Sequence, residues 1–274
     1  MDYINFNSAS RVGQILSDAR KKVGSGTTIN TVSAWAQCFD IVMVNQHDHA
    51  ASFKIAQWLG LLHSEVLSAY EYIRGTGNFP ESLYTRQLRD INIVLSPIRL
   101  NEPWKKTCEI LNPSLIETFQ TWSGICPDET QYDTNEISEC ITLIGNAMES
   151  LSESELPLML RTFMYRNAEF LLDALLKYQV LGRRSILIGY TSVAGSLATA
   201  SDDVRNALKE NIEDEHVANV LTVFLRFNKW LSSDDTWLDK LGRKISNLDA
   251  LWKASSFTAN LLQSLSGDPP NSDK

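Results

Sequence analysis

Glu213 and His216 form a Glu-x-x-His pair, the spacing that puts a carboxylate and an imidazole on one face of a continuous helix. Doubled, and joined by two further glutamates, it builds dimetal centres in helical bundles. The chain holds no second copy of the pair, so as a metal site it is incomplete. Glu213, Asp214 and Glu215 are equally explained as the start of a helix, where the dipole favours negative charge. His47, Asp48, His49 and His63 offer a second set of zinc or nickel ligand types within 17 residues. Against that, His47 and His49 fall in a connector, Asp48 suits a helix N-cap, and His63 borders an apolar face. No cofactor is implied by either grouping.

Arg161, Arg166, Arg183 and Arg184 are the best candidates for an anion site, since arginine grips phosphate with two parallel hydrogen bonds. Glu169 and Asp173 share the stripe of Arg166, and local pairing would consume the charge. Cys38, Cys108, Cys126 and Cys140 lie far apart, without zinc-ribbon spacing or a basic neighbour, and fit reduced thiols in a cytoplasm. The chain contains no P-loop, GxSxG elbow, HExxH, CxxC or dinucleotide fingerprint.

Composition narrows the classes further. Of the 274 residues, 43% are hydrophobic and 21% charged, which excludes wholesale disorder. A net charge of −8 disfavours nonspecific nucleic-acid binding, which draws on counterion release by basic residues. The N-terminus lacks the basic start and apolar core of a secretion signal. The longest apolar passage, from Ile186 to Ala200, is too short and too rich in Ser, Thr and Gly to span a bilayer.

Apolar residues recur at three- and four-residue steps through most of the chain. Residues 10–23 form a first helix, with Arg20, Lys21 and Lys22 as its solvated end. A second runs from Thr31 through Trp35, Phe39 and Val42. A third, from Ala50 to Arg74, buries Ile55, Trp58, Leu59, Leu62, Val66, Tyr70 and Ile73 and turns Lys54, Ser64, Glu65 and Glu71 outward. A helix from Ser154 to Gly182, charged on one stripe about 80° wide, is expected at the centre of a bundle. The small residues between Arg183 and Ala200 would let a neighbouring backbone approach closely. A break near residues 213–215 separates two further helices.

The last seam is Leu238, Leu241, Ile245, Leu248 and Trp252, whose alternating steps suit a helix–helix contact. It must face the protein's own core, a second copy or another protein. The expectation is an all-α multi-helix bundle of two packed helical units, residues 1–124 and 134–266, followed by a disordered tail at 267–274. Many amphipathic helices and no assembled catalytic signature point to a scaffold, adaptor or regulatory subunit acting through protein contacts or as a homo-oligomer. The rivals are a metal-dependent enzyme using Glu213 and His216, and a nucleic-acid binder using the four arginines.

Overall fold

Short polar side chains decide where most of the helices begin. Asn7, Asn30, Asp48, Asn112, Asp133 and Ser201 each accept a hydrogen bond from an amide of the turn that follows. The structure, a computed structural model, describes residues 5–24, 28–45 and 48–232. Among these it contains α1 (Ser8–Val23), α2 (Thr31–Cys38), α3 (His49–Thr76), α4 (Ser82–Val94), α5 (Trp104–Ile110), α6 (Pro113–Ser123), α7 (Thr134–Leu151), α8 (Leu158–Leu181), α9 (Arg183–Ala198), α10 (Asp202–Glu210) and α11 (Glu215–Ser232). No strand occurs among the described residues, and the fold is all-α and multi-helix. None of the described helices is long and apolar enough to cross a membrane.

The chain divides into two compact units. The first comprises residues 1–131 together with 179–183, so the last turn of α8 belongs with helices that precede it by many residues. In this unit α1 packs against α2, α3 and α6. Trp35, Trp104, Phe119, Leu16, Ile55, Leu59 and Leu62 are wholly enclosed there. The apolar face read from the sequence of α3 is buried throughout.

The second unit comprises residues 132–178 and the described residues from 184 onward. Here α11 packs along α7. A Cβ at Gly189 of α9 would stand 2.6 Å from Ala174 Cβ and 3.0 Å from Phe227 Cε2, so only glycine admits this approach. The Tyr132 ring lies between two others, 5.8 Å from Tyr178 and 5.1 Å from Trp230. The Tyr132 amide donates to the Tyr178 hydroxyl at 2.8 Å, and its own hydroxyl donates to the Trp230 carbonyl at 3.2 Å.

Three expectations need correction. The second helix stops at Cys38, because Asp40 turns left-handed at φ 52°, and Val42 stands in solvent instead of the core. The helix expected from Ser154 begins at Leu158. Pro157 ends the preceding turn, and the Ser154 hydroxyl donates back to the Leu151 carbonyl at 2.9 Å instead of capping anything. That helix is also not enclosed on all sides: Leu160, Met164, Ala168, Leu171 and Leu175 are buried, but Leu158, Tyr165 and Leu176 face outward. Residues 238–252 and 267–274 lie outside the described residues.

Leu171 and Leu175 mark the buried face of α8, with 0% and 2% of their surface exposed. Replacing either by alanine is expected to cost about 2–5 kcal/mol. Chemical denaturation measures this, and two variants that unfold with the parent would remove α8 from the core.

Candidate functional site

The Glu-x-x-His pair does not reach one helix face. Glu213 is exposed in the turn before α11, whereas His216 lies in the first turn of that helix. Asp214, between them, accepts from the His216 amide at 2.9 Å and the Val217 amide at 3.3 Å, and so caps α11. His216 Nδ1 is 2.9 Å from the Ser150 hydroxyl. His49 and His63 are separated by roughly 21 Å of α3, at 1.5 Å rise per residue, and His47 lies outside the described residues. Asp48 caps α3 through the Ala51 amide at 2.9 Å, and that hydrogen bond holds its carboxyl below the usual range. Among the described residues no three His, Cys, Asp or Glu side chains converge as metal ligands would.

The arginines are similarly dispersed. Arg161 donates to the Ser152 carbonyl at 3.0 Å, and Arg166 lies over the Phe170 ring at 5.6 Å. Five residues apart on one helix, these two point about 140° apart. Arg183 is buried in the first unit and Arg184 is exposed in the second. An open groove along α4 passes Arg89 and Arg99, but these engage Asp90 and Glu102. The four thiols are free and buried. Burial pushes Cys38 up to about 12 and Cys126 up to about 11, and it also raises Cys140 against the opposing charge of Arg226. Such thiols stay protonated at neutral pH and make poor nucleophiles.

The polar centre that the fold does assemble is not among the sites read from the sequence. Arg11, on α1, and Glu65, on α3, are both buried and meet at 2.5 Å. Glu129, from the segment after α6, faces the same guanidinium with two oxygens at 2.8 and 3.1 Å. Arg11 Nε donates to the Val180 carbonyl at 3.0 Å, and the guanidinium stacks over the Phe6 ring at 5.1 Å. Burial pulls the arginine pKa down, but the hydrogen bond and charge of Glu129, with those of Glu65, outweigh it and raise the net value.

Local structure explains how these groups are brought together. Asn7 caps α1, and Ser10 Oγ accepts from the Asn7 amide at 2.8 Å, closing a reciprocal box. The Asn7 side chain donates from Nδ2 to the carbonyls of Ser123 at 2.9 Å and Cys126 at 3.2 Å. The Glu129 amide donates to the Phe6 carbonyl at 2.7 Å, which sets the Glu129 side chain beside α1. Gly182, at φ 55°, passes where a Cβ would run into the Arg11 guanidinium and stand 3.0 Å from Glu129 Oε2. The cluster is a closed electrostatic clamp: its cation is enclosed, and its hydrogen bonds go to the protein.

A helical wheel does carry a trace of it. Glu65 lies about 20° from Trp58 on α3, at the border of the apolar arc, and Arg11 borders the apolar arc of α1 in the same way. Opposite charges at the borders of two apolar faces are the available signal. Their pairing depends on the fold. Compared with known proteins, the chain matches no family model, no curated protein and no solved structure.

Removing Arg11 leaves the Glu65 carboxylate enclosed without its guanidinium. Arg11→Met should therefore lower stability by about 3–5 kcal/mol, the range for breaking one partner of a buried pair. Gly182→Ala should destabilise as well, by at least about 1 kcal/mol from its left-handed backbone alone. Urea denaturation of both variants measures this, and parental midpoints would show that the clamp is dispensable. The thiols supply a second check. At pH 8 a thiol reagent should label the folded protein slowly and all four cysteines rapidly in denaturant; fast stoichiometric labelling of the native state contradicts their burial.

Proposed function

We propose that this chain is a non-catalytic helical scaffold or adaptor that acts through protein–protein contacts in a reducing, cytoplasmic compartment. The observation that carries the proposal is the corner between α2 and α3. Ile41 and Met43 pack against the core of the first unit, whereas Val42 and Val44 point outward, 88% and 86% exposed. Extended backbone alternates its side chains in this way, so two valines two residues apart face one side. Phe53, in the second turn of α3, is 67% exposed.

Two hydrogen bonds tie the described residues of the corner. The Asp48 carboxylate accepts from the Val44 amide at 3.2 Å while it caps α3, and the Ile41 amide donates to the Ala36 carbonyl at 2.9 Å. Burying one such valine or phenylalanine against a partner contributes about 1.5–3 kcal/mol. The partner that fits is a protein surface with an apolar cleft, either another chain or a second copy. The free thiols support the compartment.

Val42→Asp together with Val44→Asp tests the reading. Both side chains stand in solvent, so the melting temperature should stay near that of the parent, within the roughly 0.5 kcal/mol typical of surface changes. Crosslinking in cells, with parent and variant expressed at equal level, should show specific partners or dimers with the parent that the variant loses. An unchanged crosslinking pattern sinks the adaptor reading at this corner. Stoichiometric iron, manganese or zinc in untagged protein, lost in His216→Ala, would replace it with an enzyme.

A further inference from the structure

The open groove along α4 is short of negative charge. Leu88, Arg89, Asn92 and Ile93 line it over an arc of about 140° on the helical wheel, and Ser96 and Arg99 line it beyond the helix end. Its volume is about 460 Å³, within the range of ligand clefts. Leu88 and Ile93, with the aliphatic stems of the two arginines, make its walls mostly apolar. Asn92 meets His63 of α3 at 2.9 Å, and the Tyr70 and Tyr84 rings lie 5.4 Å apart, so α3 and α4 run antiparallel here. Leu67, exposed on α3, therefore stands abreast of Leu88 and extends the apolar strip. Ile98, 91% exposed, stands in the 3-10 turn Pro97–Arg99, between the lining residues Ser96 and Arg99.

Along this groove each of two carboxylates is shared by two cations. Asp90 lies 3.3 Å from Arg89 and 3.7 Å from Arg86, and both arginines are largely exposed. Arg86 borders the groove about 20° beyond Ile93. Glu102 answers Arg99 at 2.7 Å and also feels the charge of Lys106. Glu81, ahead of the first turn of α4, is about two turns from Arg89. This local surplus of positive charge occurs in a chain whose net charge is −8. Exposed pairs of this kind contribute little, so an incoming carboxylate can take over Arg86 or Arg89 at small cost. No lining residue is aromatic, so the groove lacks the platform on which unpaired bases stack. We propose that the α4 groove binds an acidic protein segment, its large apolar side chains seated over Leu88 and Ile93 and its carboxylates on Arg86 and Arg89. The groove uses none of the residues of the α2–α3 corner, so either surface can fail alone.

Random peptides displayed on phage and selected on the full-length chain test this. Enriched sequences should combine aspartate or glutamate with large apolar residues. A synthetic peptide of the strongest sequence should bind less tightly as salt is raised. Arg86→Glu with Arg89→Glu should weaken that peptide about tenfold or more, because like charges then face each other. These side chains are 76% and 69% exposed, so the variant should melt with the parent. Ile93→Ser should weaken binding too, which a purely electrostatic surface would not show. Val42→Asp with Val44→Asp should leave the peptide bound as tightly as before. Absence of enrichment, enrichment of neutral or basic sequences, or binding indifferent to the arginine pair overturns the proposal. Loss of the peptide in the valine pair alone would move the contact to the α2–α3 corner and overturns it as well. Single-stranded RNA that outcompetes the peptide, and that the arginine pair no longer binds, would assign the groove to nucleic acid instead.

Discussion

The Arg11 guanidinium is the point on which the first unit depends. It binds a carboxylate of α3, a carboxylate after α6 and a carbonyl at the end of α8. Taking an arginine and a glutamate out of water is unfavourable by several kcal/mol per ion, so such a centre persists only where geometry satisfies nearly every donor. Here four hydrogen bonds and the Phe6 face do so. Hydrophobic burial would tolerate several placements of the end of α8 near Val180. A guanidinium with fixed acceptors tolerates one.

The second unit is organised differently, by aromatic stacking and close backbone approach. Tyr132 uses both faces of its ring and both ends of its residue, and Trp230 Nε1 donates to Glu136 at 2.9 Å. Gly189 lets α9 come in against Ala174 and Phe227. Neither device needs a buried charge. One unit is therefore keyed by electrostatics and the other by shape.

The sequence made these two solutions unequally legible. The 3.6-residue rhythm of α3 and the cap at Asp48 are local, and they read correctly because local chemistry determines them. Small residues on α9 announced a close approach, and Gly189 makes it. Glu65 was read as a solvated residue because a wheel ranks residues by angle, not by what arrives from elsewhere in the chain. Val42 was read as core because its spacing from Phe39 is helical, while the left-handed turn at Asp40 that cancels the pattern has no glycine to mark it. Glu213 and His216, and likewise His49 and His63, are close in sequence, but a helix end divides the first pair and helix length divides the second.

The clamp also has a consequence for the order of events during synthesis. Arg11 is made early, whereas Val180 and Gly182 emerge long after it, with residues 132–178 of the other unit in between. At about 5–20 residues per second, the ribosome needs on the order of ten seconds or more to deliver the missing acceptor. Through that interval the guanidinium and its carboxylates cannot be sealed from water as they finally are. The N-terminal unit must remain open, or close imperfectly, until the chain returns to it. What waits is the seat of Val180 and Leu181 in that core, whose closure is timed by translation and not by the folding rate of the earlier helices.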